Sequence, residues 1–364
     1  MIPLASPDIR DPDIEAVVRI LRSGMLVQGT EVQKLEDRFC GCTGAAHAVA
    51  TSSGTATLQL ALAVLGIGPG HEVIVPSLSY IATANVVELA GARPVFVDVQ
   101  ERTFNIDPAL IEAAITPRTG AIMPVHEFGL CCDIREVSAI AAKHGLPVIE
   151  DAACALGATD DGKHAGTFGQ FGSFSLHPRK AITSGEGGVL VTGDPALAAR
   201  ARILRNHGIE VTGGRMEFVA AGFNFRLTDF QAALVASQMD RLDAALAKRA
   251  ALAQVYFSEI TNPCLMLPRV PPGKVHSWQT FHLLLEDGMD QSAVLNRLRD
   301  AGIGANYGAQ CMPAQHYFQK KYGHDCAQEF PHGLRAWQQG LAVPLYEKLE
   351  PEQIRFISKI LNQL

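Results

Sequence analysis

Short apolar runs bounded by Gly, Pro and Asp alternate along this chain with segments whose apolar residues recur at helical spacing. Strands buried on both faces read as continuous apolar runs, and helices between them supply the crossovers that parallel strands need. The alternation therefore predicts an α/β fold with a mostly parallel sheet. Strand candidates are 47–51, 72–75, 94–99, 121–125, 146–150, 173–176 and 188–192, and helices at 56–65, 81–90, 134–144 and 195–206 lie among them. The last two strands break the rule, because the loop between them is too short for a crossover helix. They are expected to pair antiparallel.

At 228–260 the apolar residues keep helical spacing without any Pro or Gly, which predicts one long helix linking two domains. A Pro-rich stretch at 268–272 follows, then further strand and helix signals. The expected architecture is a three-layer αβα large domain over 1–245, which includes the start of the linking helix. A small C-terminal α+β domain over 246–364 completes it.

The loop between the antiparallel strands carries Lys180, after Pro178 and before the turn Ser184-Gly185-Glu186-Gly187-Gly188. Asp151 stands 29 residues earlier, at the end of the apolar run Leu146-Pro147-Val148-Ile149. Open α/β sheets bind ligands at the carboxyl edge of their strands. A lysine amine can hold an aldehyde cofactor as a Schiff base, a carboxylate can keep a pyridine nitrogen protonated, and a serine hydroxyl can bind a phosphate. Together these point to pyridoxal 5'-phosphate. Lys180 would anchor it and then move the proton between substrate and cofactor carbons. Alone, Asp151 reads as a helix cap and Lys180 as a surface charge; their shared context favours the site.

For the phosphate, the segment Thr51-Ser52-Ser53-Gly54-Thr55-Ala56-Thr57 lies between strand and helix. Its backbone amides, those of Gly54, Thr55 and Ala56 among them, would point along a helix amino terminus at an anion, and Ser175 can add a hydroxyl. Simple capping by Ser53 or Thr55 is the plainer alternative. Tyr80, just past a strand, can stack on the cofactor ring or serve as core. The cluster Gly66-Ile67-Gly68-Pro69-Gly70 leads from helix into strand, the reverse of a dinucleotide loop, and reads as a turn.

A net charge of −6 with scattered basic residues leaves no stripe for a nucleic acid, and no run is long enough to span a bilayer. The eight cysteines show no metal-ligand spacing, and none is expected to hold a metal. The amino terminus lacks a basic stretch followed by an apolar core, so a soluble cytoplasmic protein is expected.

Several motifs in order resemble the DegT/DnrJ/StrS family of sugar aminotransferases, which have the aspartate-aminotransferase fold. They are Ser53-Gly54-Thr55-Ala56, Pro76-Ser77-Leu78-Ser79-Tyr80, Val125-His126-Glu127-Phe128-Gly129, Glu150-Asp151-Ala152-Ala153, residues 174–188, Asn206-His207-Gly208 and Gly222-Phe223-Asn224-Phe225-Arg226. The resemblance implies that Lys180 is the Schiff-base lysine, Asp151 the pyridinium partner and Tyr80 the stacking ring. It likewise implies Thr55, Ala56 and Ser175 as phosphate ligands and a homodimer in which Asn224 reaches the neighbour's phosphate. Arg226 either faces substrate or holds its loop. Glutamate is the implied donor and a nucleotide-linked keto-deoxysugar the implied acceptor, with a keto-cyclitol or free keto-sugar as the alternative; a non-catalytic cofactor-binding regulator is a third reading. Tyr307, Gln310 and His316 are candidate substrate contacts or structural residues. Two departures stand out: Cys154 takes the place of a Gln that contacts the cofactor's phenolic oxygen, and Leu156 that of a His. A thiol is a weak donor, which leaves that side of the cofactor open.

Overall fold

The computed structural model describes residues 1–364. Seven strands carry the large domain: β1 (His47–Thr51), β2 (Glu72–Pro76), β3 (Arg93–Val97), β4 (Thr119–Ile122), β5 (Ile149–Asp151), β6 (Phe171–Ser175) and β7 (Gly188–Thr192). β1-β7-β6-β5 form a four-stranded run and β4-β2-β3 a three-stranded one. Parallel bridges from Ile122 to Val148 and from Val125 to Asp151 join them into one seven-stranded layer. Only β7 runs against its neighbours, antiparallel to both β1 and β6, while β5 and β6 and the strands beyond them are parallel.

Both faces of this sheet are buried, and strand periodicity sorts the side chains between them. Val49, Val73, Val75, Met123 and Leu190 point into a core shared with the helices Gly54–Val64, Ala82–Leu89 and Pro195–Arg205. Their neighbours Ala48, Ala50, Val189 and Val191 face Leu35, Phe39 and Val235 from the helices Thr30–Thr43 and Asp229–Met239. Ile74 and Ile122 meet Ile134 and Val137 of the helix Ile134–His144. Each fully buried aliphatic side chain contributes about 1.5–3 kcal/mol, so a one-residue slip of any central strand is strongly disfavoured.

The small domain is built on β8 (Leu265–Met266), β9 (Phe281–Leu285) and β10 (Gly340–Val343), all antiparallel. Helices Leu242–Glu259, Gln291–Asp300 and Pro351–Leu361 cover it. The long helix expected over 228–260 is two helices, Asp229–Met239 and Leu242–Glu259. Arg241 leaves helical geometry (φ −121, ψ 13), and its guanidinium donates to both oxygens of Asp13, at 2.9 and 2.5 Å, and to the Asp8 carbonyl at 2.6 Å. A tertiary ion pair breaks the helix where no Pro or Gly does.

Part of the C-terminal region packs on the large domain. Gln310–Cys311 pairs antiparallel with Leu78–Ser79, and Phe318 and Phe330 meet Phe96 edge-on at 5.4 and 6.2 Å. The His332 and Gly333 amides each donate to Asp98 at 2.9 Å. Two hairpins escape the sequence reading: Thr159–Asp160 with Lys163–His164, and Ile209–Thr212 with Arg215–Phe218. The second turns through Gly213-Gly214 at φ +59 and +78, the positive-φ pair that a tight hairpin needs.

Candidate active site

Asp151 ends β5 and is clamped along its backbone, where its N–H donates to the Pro124 carbonyl and its carbonyl accepts from His126, both at 2.9 Å. The side chain is buried; Oδ2 accepts from Thr83 Oγ1 at 2.8 Å and Oδ1 from the Ala153 amide at 3.1 Å. Burial pushes this carboxyl above the ordinary carboxylate range, opposed by the Thr83 and Ala153 hydrogen bonds and by the positive charge of Lys180. Such a carboxylate favours a cationic N–H as its partner.

Lys180 lies in a loop closed on itself. The Ser184 amide and Thr183 hydroxyl donate to the Leu176 carbonyl at 3.0 and 2.7 Å. Gln238, from the helix Asp229–Met239, accepts from the Thr183 amide at 3.0 Å and donates to the Thr183 carbonyl at 2.7 Å. Lys180 Nζ donates to Cys154 Sγ at 3.0 Å. Burial pushes the Cys154 thiol up, with Lys180 opposing, so the sulfur faces the amine as a neutral acceptor. Cys154, Ser175 and Lys180 line one small cavity with Ser277 and Gln279. Gln279 Nε2 donates to the Arg179 carbonyl at 3.0 Å and Ser277 Oγ to the Cys154 carbonyl at 3.0 Å, so the approach to the small domain braces both sides of the lysine.

The helix Gly54–Val64 starts beside this cavity. Ser53 is its N-cap, and Ser53 Oγ accepts from the Ala56 amide at 3.1 Å. The Ala56 N–H is thus engaged by the cap, while those of Gly54 and Thr55 have no acceptor within the helix. A Cβ on Gly54 would lie 2.9 Å from Ser175 Cβ. The missing side chain lets the helix end touch Ser175, which joins two free amides and a hydroxyl into one anion cradle.

Beneath the site, Glu150 is fully buried and accepts four hydrogen bonds. The Gly166, Phe168 and Gly169 amides donate at 2.7, 2.6 and 2.6 Å, and His126 Nε2 donates at 2.8 Å. His126 Nδ1 accepts from the Cys132 amide at 3.1 Å, which fixes the tautomer. This carboxylate locks the segment before β6 against β5 and so sets the Asp151 edge.

The structure therefore brings together Lys180, Asp151, Cys154, Ser175, Gly54 and Thr55. Tyr80 is 68% exposed beside them, and its carbonyl accepts from the Thr83 amide at 3.2 Å. Tyr307 and Gln310 sit on the segment stitched to Leu78–Ser79, and Gln310 Nε2 donates to Tyr307 Oη at 3.4 Å. Exposed His316 opens the helix His316–Tyr322, with no hydrogen bond to the site. Asn224 is exposed and bridges Asn206, and Arg226 donates to Asn206 Oδ1 at 2.5 Å, a loop-holding contact. The sequence reading missed Thr83, whose position at a helix start reads as a cap, and Glu127, whose charge sits inside a quoted motif without being noticed.

A family model matches residues 7–362. The chain belongs to the DegT/DnrJ/EryC1/StrS aminotransferase family. Spr1654 from Streptococcus pneumoniae, a provisionally assigned sugar aminotransferase, superposes at TM-score 0.95 and 29% identity, covering 100% of this chain and 98% of that one. S. venezuelae DesV matches at TM-score 0.90 and 34% identity over 96% and 93% of the two chains. PseC from Helicobacter pylori, an aminotransferase of pseudoaminic acid biosynthesis, matches at 0.93 and 26% over 100% and 98%. The fold is that of fold type I pyridoxal-phosphate enzymes, and this protein is a pyridoxal-phosphate-dependent aminotransferase of a family whose solved neighbours include sugar aminotransferases. Its residues fit that cofactor: the Lys180 amine, the buried Asp151 carboxylate and the anion cradle of Gly54 and Ser175 lie at one edge of the sheet. No helix is long and apolar enough to cross a membrane.

Proposed function

We propose that this aminotransferase carries an amino group from glutamate to a keto-deoxysugar, nucleotide-linked, as a cytoplasmic homodimer. The observation that carries the reading is the convergence of Lys180, buried Asp151 and the Gly54–Ser175 cradle at one edge of the sheet. When bound, the cofactor stores the amino group between two half-reactions and accepts the electrons of a breaking C–H bond. Asp151 holds the ring nitrogen protonated, so that those electrons have a sink. Lys180 anchors the cofactor covalently and, once released by an incoming amine, moves the proton between donor carbon and cofactor. The amides of Gly54 and Thr55 and the hydroxyl of Ser175 take the phosphate, which orients the group against Asp151. Tyr80 covers one ring face, Asn224 contributes from the neighbouring subunit, and Tyr307 and Gln310 meet the sugar. The sugar assignment rests on the company this chain keeps, S. venezuelae DesV and H. pylori PseC among it.

The test is the visible absorbance of the purified protein before and after glutamate, with Lys180→Ala as control. A yellow band that glutamate bleaches in the wild type, and that Lys180→Ala cannot form, is expected. Turnover should fall by a factor of about 10²–10⁴ or more without the lysine. A wild-type protein that stays colourless with added pyridoxal phosphate sinks the assignment of Lys180. A bleached protein that transfers its amine only to unlinked keto-sugars, in a screen against nucleotide-linked ones, overturns the nucleotide part.

A further inference from the structure

Cys154 is the residue of the site that the transamination chemistry above leaves without a task. Lys180 Nζ donates to its Sγ at 3.0 Å, and that is the only hydrogen bond the amine makes. Two acids face the same thiol, Glu127 and Asp151, and neither takes the amine from it. Asp151 gives its oxygens to Thr83 and to the Ala153 amide. Glu127 is 5% exposed with Oε2 unpartnered, and burial, with repulsion from Asp151 adding, pushes its carboxyl up to about 8. At neutral pH it is an uncharged acid that offers the amine no counter-charge.

The sulfur is presented from a rigid turn. Cys154 lies three residues after Asp151, in the turn where the Ala153 amide donates to Asp151 Oδ1 at 3.1 Å and the Ala155 amide to the Ala152 carbonyl at 2.9 Å. From the other side Ser277 Oγ donates to the Cys154 carbonyl at 3.0 Å. Gly129, at φ +101, packs so closely here that a Cβ on it would lie 3.0 Å from the Cys154 carbonyl oxygen and collide with Ser277 Oγ. One clamped turn thus carries both the Asp151 carboxylate and the sulfur, and the sulfur fixes the amine within the cavity that Ser175 also lines. A thiol is a weak, neutral acceptor. It orients the amine without pairing its charge, so the amine can leave it at small cost.

We propose that Cys154 is a positioning residue for Lys180: its thiol holds the free amine in place before the cofactor arrives and takes it back each time an incoming amine releases it. A carboxylate at this position would pair with the ammonium, and an aliphatic side chain would let the long lysine stem wander among its rotamers. The sulfur does neither. This inference rests on the Schiff-base role of Lys180, and its test separates the two.

The first measurement treats cofactor-free protein with o-phthalaldehyde, which joins a primary amine and a neighbouring thiol into a single fluorescent isoindole with loss of water. A cross-linked peptide containing Cys154 and Lys180 is expected by mass spectrometry. It should be absent from Cys154→Ala and from Lys180→Ala, and suppressed by prior addition of pyridoxal phosphate. The second measurement follows the rise of the yellow band as pyridoxal phosphate is added to cofactor-free protein. Cys154→Ala should form the band about threefold to tenfold more slowly, the worth of one hydrogen bond. Cys154→Ser keeps an acceptor at the same place and should recover most of the wild-type rate. A side chain that only filled space would not tell hydroxyl from methyl, so equal rates in Cys154→Ser and Cys154→Ala overturn the proposal, as does a wild-type rate in Cys154→Ala. Normal yellowing with no cross-link in the wild type overturns the proposal alone. A wild type that cross-links yet never turns yellow sinks the cofactor role of Lys180 and the proposal with it.

Discussion

Glu150→Gln is the substitution whose consequence follows most directly from the geometry. Both carboxyl oxygens of Glu150 accept two donors each: Oε1 from the Phe168 and Gly169 amides, Oε2 from the Gly166 amide and His126 Nε2. A glutamine amide offers one oxygen and one NH2 group. Whichever way it is turned, two of the four donors face another donor. Histidine cannot relieve this by changing tautomer, because Nδ1 already accepts from the Cys132 amide. A buried donor left unpaired loses about 1–3 kcal/mol, so the pair predicts a loss of about 2–6 kcal/mol from a nearly isosteric change. Urea unfolding of the cofactor-free protein measures the total, and amide hydrogen exchange locates it. Exchange at Gly166, Phe168 and Gly169 should accelerate by at least tenfold, while the Gly145 amide at the far end of the helix Ile134–His144 stays as it was. A loss below about 1 kcal/mol, or unchanged exchange at all three glycine and phenylalanine amides, refutes the reasoning.

Other substitutions probe neighbouring parts. Gly54→Ala places a Cβ 2.9 Å from Ser175 Cβ, so cofactor affinity measured by equilibrium dialysis should fall while far-ultraviolet circular dichroism holds. Arg205→Met removes the guanidinium that pairs Glu36 at 2.7 Å and holds the Ala50 carbonyl at 2.8 Å, leaving Glu36 with Arg202 at 3.6 Å and the Ala50 amide at 2.9 Å; a loss of about 3 kcal/mol by chemical unfolding is expected. The raised Glu127 gives a pH signature with a definite sign. The folded state holds this proton more tightly than the unfolded chain, so stability is full below about 4.5, falls by at most about 1.4 kcal/mol per pH unit up to about 8, and is level above. Glu127→Gln should remove that slope from unfolding curves of the cofactor-free protein collected across this range.

The alternation of apolar runs was enough to place all seven sheet strands, because strands buried on both faces leave continuous apolar runs that no other element shares. The placement of Asp151 at a strand end and of Lys180 in the short loop between two strands was legible for a related reason: in both, sequence order and spatial order coincide. Thr83 and Glu127 were not, since each reaches Asp151 or its neighbours across the sheet from a different crossover. The break at Arg241 was hidden in the same way, its cause lying with Asp13 more than two hundred residues away. The Gly213-Gly214 hairpin carried a local signal in plain view, and the cap that Ser53 places on the Ala56 amide is the plainer of the two readings that residues 51–57 offer.

The strand stitch of Gln310–Cys311 onto Leu78–Ser79, with Phe318 and Phe330 seated against Phe96, ties the C-terminal region to the large domain at several separated points. Two lobes fastened in this way cannot swing apart like jaws on a single hinge. Under the proposed function, substrate then enters a mould whose walls keep their spacing, and selection among acceptors falls to side chains such as Tyr80, Tyr307 and Gln310 rather than to a clamping motion. Redirecting the enzyme to a new acceptor is then a problem of recutting the rim while leaving the frame alone.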